Sequence, residues 1–199
     1  MENYIVLDGV TYDLVKRENA KEDNAGKVRL ADIPVGEMFK LGKHEFVVLE
    51  HSKETTAVIL KDLLNGSKQF GSSNNFDGSG VDKECQKFAD EIAEIVGTEN
   101  LVEHTVDLTS DDGLKDYGKV KRKMSLLTTE LYRRYVYILD KFKLGEWWWL
   151  ATAYSAKPHD DTTWVKCVSP SGRIYFLNCD YYFGVRPFCI LKSHIFVSK

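Results

Sequence analysis

Three consecutive tryptophans, Trp147-Trp148-Trp149, followed by Leu150-Ala151-Thr152, constrain this chain more than any other segment. In an extended strand successive side chains point to opposite faces, so Trp147 and Trp149 leave by one face and Trp148 by the other. At least one of those faces must pack on a core. The segment that follows has a different chemistry, rich in Tyr, Asp, Asn, Ser and Thr, and it closes on the apolar run Gly184-Val185-Arg186-Pro187-Phe188-Cys189-Ile190-Leu191. Strands at both ends can anchor it. The residues between are those a binding surface uses: Tyr and Trp give contact area at low entropic cost, and Ser, Gly and Asn give adaptable hydrogen bonds. The expectation is a displayed recognition surface rather than a catalytic centre.

A chain of 199 residues fits one domain. Residues 1–29 are expected to form an N-terminal hairpin and loop packed on a main domain of residues 30–199. Hydrophobic residues at 43% and charged residues at 29% are ordinary for a globular protein. The formal net charge of −3 gives no drive toward nucleic acid or an anionic membrane. Lys119-Val120-Lys121-Arg122-Lys123 is expected to be a solvated loop or helix end. The first residues lack a basic stretch leading into a long apolar one, and no apolar run approaches the roughly 18 residues of a membrane span. Cytoplasmic synthesis without a signal peptide follows as the expectation. Cys85, Cys167, Cys179 and Cys189 are too few for a disulfide framework and are expected to be reduced and mostly buried, with a Cys167–Cys179 or Cys179–Cys189 bridge left open.

Tyr4–Leu7 and 10–15 flank Asp8-Gly9, a strong hairpin signal. A strand is expected around Met38-Phe39-Lys40, and a second hairpin from 44–50 and 55–61. Residues 65–80 read as loop. Ser79 is placed to cap a helix whose buried stripe is Cys85, Phe88, Ala89, Ile92 and Val96 and which Gly97 ends. A strand is expected over 101–108. A second helix starts at Thr128, carries Leu131, Tyr135, Ile138, Leu139 and Phe142 on its apolar face, and stops at Gly145. Strands follow at 147–152, 164–168, 173–176 and 184–191, with a short one at 195–197. Strands, helix, strand, helix, then only strands: such segregation points to α+β.

Chemistry is sparse. His44-Glu45 and Glu50-His51 read as exposed strand ends rather than metal ligands, and Asp107, Asp111, Asp112 and Asp116 as a solvated turn lacking calcium-loop spacing. No Gly-rich phosphate loop, nucleophile elbow or Cys-x-x-Cys pair occurs. No metal and no cofactor is expected. An enzyme built on Cys179, Cys189, His159 or His194 is a minor alternative, with Cys189 read as a buried structural thiol.

Trp147–Thr152, then Trp164-Val165-x-x-Val168-x-Pro170-Ser171-Gly172, then Gly184-Val185-Arg186-Pro187 resemble an uncharacterised bacterial and phage domain family, as do Asp32–Glu37, Phe46–Leu49 and 73–76 upstream. The likeness covers roughly residues 30–192. The ending also resembles the Gly-Phe-Arg close of C-type-lectin folds of the formylglycine-generating-enzyme type, which variable proteins of diversity-generating retroelements share. That resemblance implies a C-type-lectin-like fold, two helices packed on antiparallel strands, with exposed C-terminal variable loops. In such systems mutagenesis at adenines, typically in AAY codons, cannot produce Lys, Glu, Gln, Met or Trp. Residues 158–163 and 174–183 contain none of the five. The calcium-dependent sugar motifs and the copper-binding cysteine pair of those folds are missing.

The resemblance implies ligand contacts from Tyr154, His159, Asp160, Asp161, Thr162, Thr163, Tyr175, Leu177, Asn178, Asp180, Tyr181 and Tyr182. Trp147, Trp149, Trp164, Gly184, Arg186 and Pro187 would be scaffold. The partner would be a protein or cell-surface ligand, with attachment to a phage structural protein and oligomerisation both allowed; neither nucleic acid nor membrane is implied. The alternative is a fixed-specificity phage or bacterial module of the same fold.

Overall fold

The structure is a computed structural model that describes Tyr4–Leu7, Val10–Asp13, 26–159 and 161–199. The elements run β1 (Tyr4–Leu7), β2 (Val10–Asp13), β3 (Lys27–Arg29), β4 (Met38–Leu41), β5 (His44–His51), β6 (Thr55–Leu60), β7 (Lys68–Gln69) and α1 (Gly80–Val96). Then come β8 (Leu101–Val102), β9 (His104–Asp107), β10 (Lys119–Arg122), β11 (Met124–Ser125) and α2 (Thr129–Leu139). The C-terminal part is all strand: β12 (Trp148–Ala153), β13 (Trp164–Val168), β14 (Ile174–Asn178), β15 (Tyr182–Phe183), β16 (Phe188–Lys192) and β17 (Phe196–Ser198). The protein is α+β.

The main sheet runs β11-β16-β6-β5-β4-β17-β3, with β8 on the same edge of β16 as β11, and it curls into a half-barrel. Its pairings are antiparallel. A second, three-stranded antiparallel sheet is β12-β13-β14, and Trp148 on β12 makes an isolated parallel bridge with Gly184, in the segment that leads into β16. β1–β2, β9–β10 and β7–β15 are further two-stranded pairs. The Asp8-Gly9 turn lies outside the described residues, but Leu7 pairs with Val10 as a two-residue hairpin requires.

Both faces of the central strands are buried, and this explains their continuous apolar runs. On β5, Phe46 and Val48 join the cluster under α1, while Val47 and Leu49 join the cluster under α2. β12 divides in the same way: Trp149 and Ala151 go to the first, Trp148 and Leu150 to the second. Each helix begins at a side-chain cap. Ser79 Oγ accepts from Asp82 N at 3.1 Å, and Thr128 Oγ1 from Leu131 N at 3.2 Å. Gly97, at φ 86°, ends α1 in a conformation other residues avoid.

Several expectations change. The strand over 101–108 breaks at Glu103 into β8 and β9, because β8 pairs with β16 and β9 with β10. The basic run 119–123 is mostly strand, and two of its four charges are paired: Lys119 meets Asp107 at 2.8 Å, and Arg122 bridges Asp77 and Asp82. The strand expected over 184–191 is regular only from Phe188. On α2 the buried stripe includes Tyr132, whose hydroxyl donates to Gly172 C=O at 2.6 Å. The strand ends of β5 are not free: His44 packs on Phe88 and bonds Glu91, and His51 bonds Ile33 C=O and Thr56. All four cysteines are buried free thiols.

Candidate recognition surface

The β12-β13-β14 sheet shows how the contact candidates are arranged. Its register pairs Lys166 with Phe176, Trp164 with Asn178, Cys167 with Tyr175 and Val165 with Leu177. Paired residues in an antiparallel ladder share a face. One face therefore carries Trp164, Lys166, Phe176 and Asn178, continuing from the part that α2 covers through Val168 and Ile174. The other carries Val165, Cys167, Tyr175 and Leu177 and turns toward the α1 core.

The first face holds an aromatic shelf. The Tyr154 and Phe176 rings stack with centroids 4.3 Å apart, and Trp164 meets Phe176 edge-on at 5.9 Å. All three remain well exposed, at 38%, 44% and 38%, and so are available to a ligand. Lys166 lies beneath, 5.8 Å from the Tyr154 centroid and 5.6 Å from that of Phe176, with its ammonium 2.9 Å from Asp111 Oδ2. A buried ammonium needs such a counter-charge; the rings cover it from above.

Beside the shelf opens a pocket of about 370 Å³ lined by Asp111, Asp112, Tyr154, Ser155, His159 and Asp161. Asp112 is its centre. One carboxylate oxygen accepts from Ser110, and the other accepts from Ser155 at 2.6 Å and lies 2.9 Å from His159 Nδ1. The Ser110 and Ser155 hydroxyls, with His159, hold the carboxyl well below the usual range. Ser, His and Asp are thus together, but not as a nucleophilic triad. There the serine meets one imidazole nitrogen and the aspartate the other; here both approach Nδ1, and the serine donates to the carboxylate. The arrangement fixes geometry; it does not activate an oxygen. The Asp-rich turn is exposed at Asp111, Asp112 and Asp116, as a solvated turn would be, and Asp111 and Asp112 are in addition hydrogen-bonded into the pocket.

The loop carrying His159 and Asp161 is tied down by a fully buried Asn74. Its Nδ2 donates to Ser155 C=O at 3.0 Å and Trp164 C=O at 3.1 Å, its Oδ1 accepts from Tyr117 at 2.6 Å, and its backbone N–H donates to Thr162 C=O at 2.7 Å. Asp161 Oδ1 accepts from the backbone N–H of Thr163 and Trp164, closing the turn. Thr163 is exposed, and Asp160 lies outside the described residues.

The other contact candidates sit apart. Tyr175, 44% exposed, meets Trp147 edge-on at 5.4 Å, Trp147 stacks on Phe183 at 5.6 Å, and Phe183 stacks on Tyr181 at 5.9 Å. Tyr182 is 63% exposed. Leu177 packs on the core, and Asn178 Oδ1 caps the turn through Asp180 N. Of the scaffold residues, Trp149 is fully buried with its indole N–H on Lys68 C=O at 2.9 Å. Gly184 exchanges backbone bonds with the Trp147–Trp149 segment. Arg186 donates to Leu60 and Lys61 carbonyls, and Pro187 C=O accepts from Leu60 N. Trp164, 38% exposed, lies on the shelf, while its C=O accepts from Tyr154 N and Asn74 Nδ2.

Cys85, Cys167, Cys179 and Cys189 all have thiols pushed up by burial, Cys167 to about 12, which disfavours a nucleophilic thiolate. Among the described residues no three His, Cys, Asp or Glu side chains converge as a metal site would need. Among the described residues no helix is long and apolar enough to cross a membrane. No protein-family model, curated protein or solved structure matches the chain.

Proposed function

We propose that this protein is a recognition module of C-type-lectin-like fold, the variable protein of a diversity-generating retroelement encoded by a phage or prophage. Its work is binding, not catalysis. The observation that carries this is the exposed Tyr154–Phe176–Trp164 shelf beside the Asp112 pocket, displayed on a sheet whose ends are pinned by buried Trp148, Trp149 and Arg186. Aromatic anchors supply contact area, the short polar residues 159–163 supply hydrogen bonds, and the frame beneath is rigid enough to tolerate change above it. The ligand would be a protein or cell-surface group.

A second reading, one fixed specificity on the same fold, is favoured by Leu177 and Cys179, which lie inside the variable window yet pack into the core. Sequencing the gene deeply across a host population separates the two. Diversification places substitutions at AAY-type codons among positions such as Tyr154, His159–Thr163, Tyr175 and Asp180–Tyr182. A window 153–183 as invariant as α1 and α2 sinks the retroelement reading and leaves the fixed module.

A further inference from the structure

The outer edge of β14 is an open pairing surface. Ser169 N–H donates to Arg173 C=O at 2.9 Å and Cys179 N–H to Thr163 C=O at 2.7 Å. With the register of β13 and β14, these bonds fix the parity of the ladder: positions 173, 175, 177 and 179 bond inward. Ile174, Phe176 and Asn178 therefore aim their backbone N–H and C=O groups outward. Among the described residues only one of those groups is used, Asn178 C=O, which accepts from Tyr181 N. The strand Ile174-Tyr175-Phe176-Leu177-Asn178 carries no charge, no proline and no bulge, the devices that blunt free edges.

We infer that β14 pairs antiparallel with β14 of a second copy of this chain, about a two-fold axis at Phe176. That axis sets Phe176 against Phe176 and each Ile174 against Asn178 of the other copy. Every outward-facing position then meets another, whereas a shift of one residue would set bonding positions against non-bonding ones. Charge selects the direction. Arg173 at one end and Asp180 at the other are exposed, and among the described residues neither forms an ion pair. Antiparallel pairing brings each Arg173 to the end that holds Asp180 of the other copy; parallel pairing would set like charges together. The product is a continuous six-stranded sheet with two aromatic shelves meeting at its centre. Two linked sites also bind a multivalent surface by avidity.

Sedimentation velocity of the full chain across a wide concentration range tests this. The expected result is a monomer–dimer equilibrium. R173D or D180R alone should weaken it about tenfold, since two ion pairs become repulsions, and the R173D/D180R double variant should restore it. F176P removes only an outward N–H, so the intramolecular ladder survives while the dimer is lost. Should F176P misfold by circular dichroism, F176C decides instead. Two such cysteines at the axis sit within disulfide reach and cross-link under oxidation, whereas Y175C, off the axis, does not. A monomer at every concentration overturns the inference. So does a dimer that ignores the charge swaps, or one whose F176C form fails to cross-link.

Discussion

Replacing Arg186 with methionine should harm this protein less than replacing it with lysine. Arg186 is 1% exposed. Its Nε donates to Leu60 C=O at 2.9 Å, a terminal nitrogen donates to Lys61 C=O at 2.7 Å, and the guanidinium lies 5.3 Å from the Trp148 ring centroid. Both acceptors are neutral. Burial accordingly pulls the group from 12.5 down to about 10, so the site disfavours the charge by about 3 kcal/mol relative to water. Methionine returns that penalty and keeps the apolar bulk on Trp148, but it leaves two carbonyls without donors at about 1–3 kcal/mol each. The net loss is about 1 kcal/mol. Lysine keeps a charge that is more strongly hydrated, offers one nitrogen where the fork offered two, and loses the planar stack, for a loss of about 3–4 kcal/mol. Urea unfolding followed by tryptophan fluorescence reads the order directly, since Trp148 lies under the side chain. A midpoint for R186M at or below that of R186K would show that the hydrogen-bonded charge is a net stabiliser, and the ledger would be wrong.

Three further outcomes are expected. His104 bonds Ser125 through Nε2 while its buried Nδ1 has no partner, and burial pushes the ring from 6.5 to about 4. The native state thus binds the proton less tightly than the unfolded chain, and this contribution is intact above about pH 6.5 and fades as pH falls toward 4. About 2 kcal/mol is lost by pH 5, and H104Q should flatten the difference between urea midpoints at pH 7.5 and 5; an unchanged difference refutes the assignment. N74A should cost about 2–4 kcal/mol and release amide protection across 155–164, because the Ser155 and Trp164 carbonyls lose their donor; protection equal to wild type would remove Asn74 from its role. A disulfide reagent should label no cysteine promptly in the native protein and all four after denaturation, whereas one fast thiol would favour the enzyme alternative.

Elements defined by local chemistry were legible in the sequence: both helices start at the expected caps, Ser79 and Thr128, and the hairpins of β1–β2 and β5–β6 follow their turns. What was not legible depended on distant partners. β10 looks solvated because five residues hold four positive charges, and only the fold shows Asp107, Asp77 and Asp82 meeting two of them. The extent of β14 is set by β13, whose Val165 and Trp164 pair with Leu177 and Asn178 and carry the strand two residues beyond the expected 173–176. A signal for the pocket did exist. Lys166 interrupts an apolar strand, and a lysine there demands a buried anion; the Asp-rich turn 107–116 was the available source and supplies Asp111.

The alternation of β14 also changes what a contiguous variable window means. Tyr175 and Phe176 are neighbours in sequence, yet one joins Trp147 and the other joins Tyr154 and Trp164 on opposite faces of the sheet. On the proposed reading, a ligand seated on the Asp112 pocket would meet Phe176, Trp164, His159 and Asp161, while Tyr175 belongs with Tyr181 through Trp147 and Phe183. Phe176, absent from the contact set expected from sequence, therefore belongs to the shelf; Leu177, included in that set, is held by the core. Binding losses from alanine substitution should then sort by face rather than by position along the chain. F176A and W164A should act together against one ligand, and Y175A should act with Y181A or leave that ligand untouched.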